Sequence, residues 1–145
     1  MSIGWGFVAG LLSGFFMALV SDIAHRLRFF GSSLIAVDGS FAVRMMGKNP
    51  QGQPRPLVYC LGIVIHLVTS GIFGAVYAVL TNLFQFDPGN VVLFAIYVLL
   101  LWLAMLFSAL PIAGLGVLGR GAGRFTWLEQ LLLHMVFAGV FWHLI

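Results

Sequence analysis

Two histidines stand inside long apolar stretches of this sequence, and they are the side chains best suited to chemistry. His66 follows Leu57, the start of the second long stretch, by nine residues, and His134 follows Thr126 by eight. At about 1.5 Å per helical residue, both imidazoles would lie roughly 12–13 Å inside helices that run in the same direction. Burying an ionisable side chain at such a depth in an apolar segment costs free energy, so we treat both histidines as candidate functional residues.

Neutral imidazole nitrogens at one depth could bind a b-type haem from both faces, a metal ion or a quinone headgroup. Ser70 and Tyr77 follow His66 on the same helical face and add two hydroxyl groups. The candidate cofactor-binding residues are therefore His66, Ser70, Tyr77 and His134, and the cofactor itself stays open. Two other interpretations are histidines bonded to a nearby hydroxyl or backbone carbonyl, and a proton relay.

No catalytic constellation accompanies the histidines. The chain has only four acidic residues and one cysteine, Cys60, and it contains no His-Glu-x-x-His helix and no Ser-His-Asp set with a credible base. A single cysteine also excludes an internal disulfide and a cysteine-based metal cluster. We therefore expect a non-catalytic protein without a dedicated metal site.

The composition indicates a membrane protein. Of 145 residues, 61% are hydrophobic and only 8% are charged, and the mean hydropathy is +1.09. A soluble domain of this size carries about a quarter charged residues and could not bury so much apolar surface. A soluble enzyme, a nucleic-acid-binding protein and a disordered chain are therefore excluded.

Four apolar stretches are long enough to cross a bilayer, which takes about 20 helical residues. They cover residues 4–21, 57–84, 90–114 and 127–145, separated by cytoplasmic loops at 25–56 and 115–126. Leu34, Val37, Phe41 and Met45 repeat at helical spacing in the first loop and predict a short interfacial helix. The expected fold is a single all-α membrane domain, a four-transmembrane-helix bundle with that interfacial helix after the first span.

The basic residues predict the orientation. All seven lie in the two long loops, five in the first and two in the second: Arg26, Arg28, Arg44, Lys48, Arg55, Arg120 and Arg124. Under the positive-inside rule these loops are cytoplasmic and both termini lie outside the cytoplasm. We expect a multi-pass protein of a bacterial inner membrane.

Gly6, Gly10 and Gly14 form a small-residue stripe on the first span, which lets another helix approach closely. The partner is another span of this chain, a second subunit or a ligand. The leading functional hypothesis is a small protein that acts by helix packing, as a homo-oligomer or as an accessory subunit among membrane lipids and other membrane proteins. It involves no nucleic acid.

Two alternatives come from other functional classes. One is a redox bundle that binds haem b, a metal or a quinone through His66 and His134. The other is a small oligomeric transporter or channel, whose polar path would follow one face of the second span: Tyr59, His66, Ser70, Tyr77 and Thr81.

Three local patterns add expectations about helix ends. Thr126 and Glu129 have the spacing of a capping box at the start of the last span. Asp22 and Arg26 are four residues apart and are expected to pair. Pro111 should kink or end the third span.

The pattern His66-x-x-x-Ser70-x-x-Phe73-Gly74-x-x-Tyr77 resembles a segment of the uncharacterised YagU-type family of small bacterial inner-membrane proteins. The last span, with Gln130-x-x-x-His134 before an aromatic-rich run, and the glycine-rich first span are also similar. The resemblance implies a multi-helix membrane bundle without an established activity, and it singles out the same four candidate residues. That family has an acidic residue where Gln130 stands, so the resemblance does not support acid–histidine chemistry here.

Overall fold

The computed structural model describes all 145 residues and contains five helices and no strands. The helices are α1 (Ile3–Arg26), α2 (Leu34–Met45), α3 (Arg55–Leu83), α4 (Val91–Ile112) and α5 (Thr126–Leu144). Short 3-10 turns lie at Pro50–Gly52 and Val117–Gly119. The all-α class predicted from the sequence is confirmed.

Three of the helices, α1, α3 and α4, are long and apolar enough to cross a membrane. Helix α5 has 19 residues and does not belong to that group, because Glu129, Gln130, His134 and His143 lower its hydropathy. Three helices could thus cross a membrane, which is consistent with a membrane protein, whereas the fourth span stays a prediction.

Helices α1 and α3 pack antiparallel through the glycine stripe. A Cβ added to Gly6 would lie 2.6 Å from the carbonyl oxygen of Gly74, and one added to Gly10 would collide with the carbonyl oxygen of Ser70. Gly14 faces the Ser70 side chain in the same way. The stripe is thus used for contact between two helices of one chain.

Helix α2 lies lengthwise against the first turns of α3. A Cβ on Gly62 would collide with the carbonyl oxygen of Ile35, and one on Gly39 with that of Val58, so the two helices run antiparallel. The first residue of α2 is also bonded to α1, because the Leu34 N–H donates to Ser21 Oγ at 2.9 Å.

The short helix predicted after the first span is present as α2, and its place in the membrane interface stays a prediction. Its Leu34, Val37, Phe41 and Met45 side chains are not all turned inward. Leu34 and Val37 are buried, Phe41 is half-buried and Met45 is 65% exposed. The glycine contacts with α3 turn another face inward, and that face includes Asp38, which is only 8% exposed. An acidic residue on an apolar helix is thereby placed inside the bundle.

Just before Pro111, where the sequence predicts a kink or an end, α4 changes from α-helical to π-helical hydrogen bonding. Residues Met105–Ala109 are π-helical, and the Leu110 N–H donates to the carbonyl of Met105 five residues earlier. The proline ring excludes the carbonyl of the residue four positions before it, which disrupts the regular α-helical ladder at this point. The end of α4 packs against α2 through Val37, Leu106 and Leu110.

The two predicted polar contacts at helix ends have opposite outcomes. Asp22 and Arg26 pair at 2.6 Å, as expected. The capping box is wrong, because Glu129 accepts the Gly31 N–H at 3.2 Å instead of capping its own helix. Thr126 Oγ1 donates to the carbonyl of Gly123.

Both basic loops lie at the same end of the bundle. Tyr59 of α3 donates to Asp22 near the end of α1 at 2.6 Å, and Glu129 of α5 contacts the loop after α1. At the opposite end, Trp5 Nε1 donates to the carbonyl of Leu144 at 2.7 Å. This arrangement is the one that the predicted orientation needs, while the side of the membrane stays a prediction.

Candidate functional site

A cavity of about 270 Å³ lies within the bundle, and all five helices contribute to its wall. Its lining is mostly apolar. The wall includes Met17 of α1, Asp38 of α2, His66 of α3, Ser108 of α4 and His134 of α5. The structure therefore brings the two deep histidines to one site, together with an acidic residue that the sequence analysis did not select.

Both ring nitrogens of His66 have hydrogen-bond partners. Nδ1 lies 2.8 Å from Asp38 Oδ2, and Nε2 lies 3.0 Å from the carbonyl oxygen of Gly14 on α1. The His66 and Asp38 side chains are both buried. The interpretation of His66 as a residue bonded to a neighbouring backbone carbonyl agrees with the second contact.

The partners of His66 fix the number of protons that it shares with Asp38. The Gly14 carbonyl can only accept, so Nε2 must carry a hydrogen and donate. The contact between Nδ1 and Oδ2 then holds one further proton, either on the ring or on the carboxyl group. Both arrangements leave the pair without net charge, which lowers the cost of burying it in an apolar bundle.

His134 has one nitrogen available for a ligand. Its Nδ1 donates to the carbonyl of Gln130, four residues earlier on the same helix, at 2.8 Å. In the neutral ring, Nε2 is then a hydrogen-bond acceptor, and it has no partner within the chain. The side chain is 8% exposed and lines the cavity.

Among the three hydroxyl groups at the cavity, only that of Ser70 lacks a partner. Thr69 donates to the carbonyl of Ile65 at 2.7 Å, and Ser108 donates to that of Ala104 at 2.5 Å. Ser70 is buried, lines the cavity and makes no hydrogen bond within the chain. The site therefore offers a free donor at Ser70 and free acceptors at His134 and at Asp38 Oδ1.

A haem held between His66 and His134 does not fit this geometry. The Nε2 of His66 faces a carbonyl oxygen and has no lone pair for iron. The cavity, at about 270 Å³, is also below the roughly 300–1,000 Å³ typical of drug-sized ligands, and haem is larger than most of those. No group of three or more His, Cys, Asp or Glu side chains is arranged to hold a metal ion.

Tyr77 lies outside the cavity. Its hydroxyl donates to the carbonyl of Pro88 at 2.9 Å, and its ring packs edge-to-face against Phe94 and Phe141. Tyr59 and Thr81 are also outside, the first bonded to Asp22 and the second to its own helix. Of the five residues proposed to line a polar path, only His66 and Ser70 reach the cavity.

Asp38 is the site residue that the sequence analysis missed. It is 28 positions from His66, and no local pattern links the two. The available signal was an acidic residue inside a mostly apolar 12-residue helix, because such a residue is costly unless it has a partner.

Comparisons with known family models, with curated proteins and with solved structures find no match to this chain. The resemblance to the YagU-type family therefore stays a prediction.

Proposed function

We propose that this membrane protein binds a small ring-shaped molecule from the lipid phase in the cavity between its helices. The observation that carries the proposal is the pair of polar groups without partners at the cavity, the Ser70 hydroxyl and His134 Nε2. Neither group has a hydrogen-bond partner within the chain, and both residues line the same cavity, so a molecule bound there can bond to both.

The volume sets the size of the bound group. An apolar cavity of about 150 Å³ is enough to bind benzene. The cavity here, at about 270 Å³, therefore suits one substituted six-membered ring. Ser70 would donate to a ring oxygen, and His134 Nε2 would accept from a ring hydroxyl. A quinol headgroup carries such oxygens, whereas the oxidised quinone has no hydroxyl to offer His134.

The Asp38–His66 pair supports this site without requiring a reaction. Because the pair has no net charge, the site does not require a ligand of opposite charge. The pair also joins α1, α2 and α3, since Asp38 and Gly14 belong to the helices on either side of His66. We assign to it the role of keeping the wall of the cavity in place.

The packing function suggested by the glycine stripe has less support. Gly6, Gly10 and Gly14 are occupied by α3, so they offer no free face to a second subunit. An oligomer or accessory subunit would need another surface. The transporter or channel alternative also has less support, because the polar residues along α3 do not line one continuous path.

The experiment is a titration of the purified protein in detergent with decylubiquinol, kept reduced under argon. A ligand that binds only the folded state stabilises it by RT ln(1 + [L]/Kd), so the thermal unfolding midpoint rises with ligand concentration and rises further for a lower Kd. For the natural protein we expect a rise that grows with the logarithm of the probe concentration once that concentration exceeds Kd. Ser70→Ala should weaken binding roughly twofold to tenfold, because a neutral hydrogen bond contributes about 0.5–1.5 kcal/mol. His134→Leu should weaken it about tenfold.

The matched control is His143→Leu. His143 makes the same bond to its own helix, from Nδ1 to the carbonyl of Gly139 at 2.7 Å, but it is exposed and lies outside the cavity. It should bind the probe like the natural protein. No probe-dependent rise, or equal losses in His134→Leu and His143→Leu, would contradict the proposal.

A further inference from the structure

The lining residues of the cavity that are exposed all lie on α3 and α4. These two helices touch near the end that carries the chain termini, where Tyr97 donates to the carbonyl of Phe73 at 2.6 Å and Tyr77 packs against Phe94 at 5.4 Å. Beyond the Tyr97–Phe73 bond, α3 and α4 contact each other only sparsely.

Exposed residues border this gap, which we call the mouth. Phe73 and Ile112 are each 40% exposed, and Ala104 and Ser108 are also exposed, yet all four line the cavity. Ala104 and Ser108 precede the end of α4 by eight and four residues, or roughly 12 and 6 Å. The mouth therefore opens within the apolar part of α4 and faces hydrocarbon in a bilayer about 30 Å thick.

The contacts of α3 with α1 and with α2 leave no comparable opening. Backbone atoms meet through glycines between α1 and α3 and between α2 and α3. An apolar groove of about 520 Å³ separates parts of α4 and α5, but it is bounded by the Trp102–Trp127 hydrogen bond and by the Phe94–Trp142 ring contact. That groove shares only His134 with the cavity.

We infer that the ligand is an amphipath with a ring headgroup and a long aliphatic tail, which enters from the bilayer and leaves its tail in the mouth between α3 and α4. This inference rests on the proposed function, since it takes the headgroup to occupy the cavity. A volume of about 270 Å³ has room for the ring alone. The tail must therefore pass through an opening, and the mouth is the one that leads directly to lipid.

The test compares two probes and two variants. The probes are decylubiquinol, with a ten-carbon tail, and the same dimethoxy-methyl hydroquinone ring without a tail. Ala104→Phe adds a ring at the mouth. Ala95→Phe is the matched control, because Ala95 is an exposed alanine of the same helix that lines the α4–α5 groove and not the cavity. Binding is measured as the probe-dependent rise in the unfolding midpoint.

For Ala104→Phe we expect at least about a tenfold loss of affinity for the tailed probe, about 1.4 kcal/mol, and a smaller loss for the tailless ring. Ala95→Phe should bind both probes like the natural protein. Because all variants are measured in the same micelles, partition of the tail into detergent cancels. If Ala104→Phe does not fold, Ser108→Phe adds a ring at the same mouth.

Three results would overturn the inference. They are unchanged binding of the tailed probe by Ala104→Phe, equal losses for both probes, and a loss in Ala95→Phe, which would assign the tail to the α4–α5 groove. In each of these cases binding of the tailless ring by the natural protein would leave the proposed function intact. If neither probe binds the natural protein, the proposed function fails and the inference fails with it.

Discussion

The contact between Asp38 and His66 shows how a titratable pair is accommodated among apolar helices. Asp38 Oδ2 and the Gly14 carbonyl bond to opposite nitrogens of one imidazole. The ring is thereby fixed in orientation, and the charge is either absent or neutralised within 2.8 Å. Loss of the acid would leave a buried nitrogen without a partner, which costs more than the net contribution of the bond.

Asp38→Ala should therefore destabilise the protein strongly. Breaking a buried pair by removing one partner costs about 3–5 kcal/mol. Asp38→Asn should cost less, because the amide can donate to Nδ1 while His66 Nε2 still donates to Gly14. The measurement is the thermal unfolding midpoint in detergent, followed by tryptophan fluorescence.

Arg28→Ala is a control for this comparison, because Arg28 is a charged residue on the exposed surface and its removal should change the midpoint little. Equal midpoints for Asp38→Ala and Asp38→Asn would show that the hydrogen bond to His66 does not contribute as described.

At the scale of single residues, sequence alone predicted those contacts that depend only on depth in a helix or on spacing along one. Counting along two helices that run in one direction was enough to predict a common level for His66 and His134. Asp22 and Arg26 are neighbours on one helix and pair as expected. Asp38 and Glu129 could not be assigned in this way, because the partner of Glu129 is Gly31, 98 positions away, and that contact exists only after the helices have packed.

At the scale of elements, glycine decides which helices lie closest. The α1–α3 contact uses Gly6, Gly10 and Gly74, and the α2–α3 contact uses Gly39 and Gly62. Removing the Cβ allows backbones to approach and gains dispersion contacts, which stabilise helix association in lipid. Helix α3 therefore stands between α1 and α2.

We expect Gly10→Ala to destabilise the protein by about 1–3 kcal/mol, the usual cost of overpacking a well-filled contact. The added Cβ would lie within 3.0 Å of Gly74 Cα and would also collide with the Ser70 carbonyl. The free energy of unfolding in a mixed-micelle denaturant titration measures this effect.

Gly4→Ala is the matched variant, since Gly4 belongs to the same helix and a Cβ there meets no atom within 4 Å. Alanine has the higher helix propensity, so Gly4→Ala should be neutral or slightly stabilising. If Gly10→Ala instead leaves stability unchanged and alters the oligomeric mass, the stripe contacts a second subunit.

The positions of the long helices could be predicted from sequence because an apolar run of sufficient length has few alternatives in a membrane. The inward face of α2 could not. Its apolar residues occur on more than one side, and Gly39, which lowers helix propensity, is the residue that allows contact with α3. The cavity depends on this placement and on the winding of α4 before Pro111.

For the whole molecule, the clustering of both basic loops at one end predicts the topology. In a cysteine-free Cys60→Ser background, single cysteines at Gly52, Val117 and Gly89 report the two ends. Gly52 has open space around its Cα, and Val117 is 51% exposed. In intact bacterial cells an impermeant maleimide should label Gly89→Cys, and it should label the other two only after permeabilisation.

Each labelled variant needs a denatured sample as the control for total reactivity. Labelling of Gly52→Cys and Val117→Cys from opposite sides would contradict the predicted orientation, because α3 and α4 would then not both cross the membrane.

The burial of Asp38 also constrains the order of biogenesis. This carboxyl group leaves the ribosome 28 residues before its partner His66, and an isolated acid costs about 2.5–3.5 kcal/mol at the centre of a helix that the translocon inserts. Helix α2 can therefore bury this carboxyl group only after α3 has been synthesised and His66 is within reach. Folding then ends with the docking of a segment that was translated early.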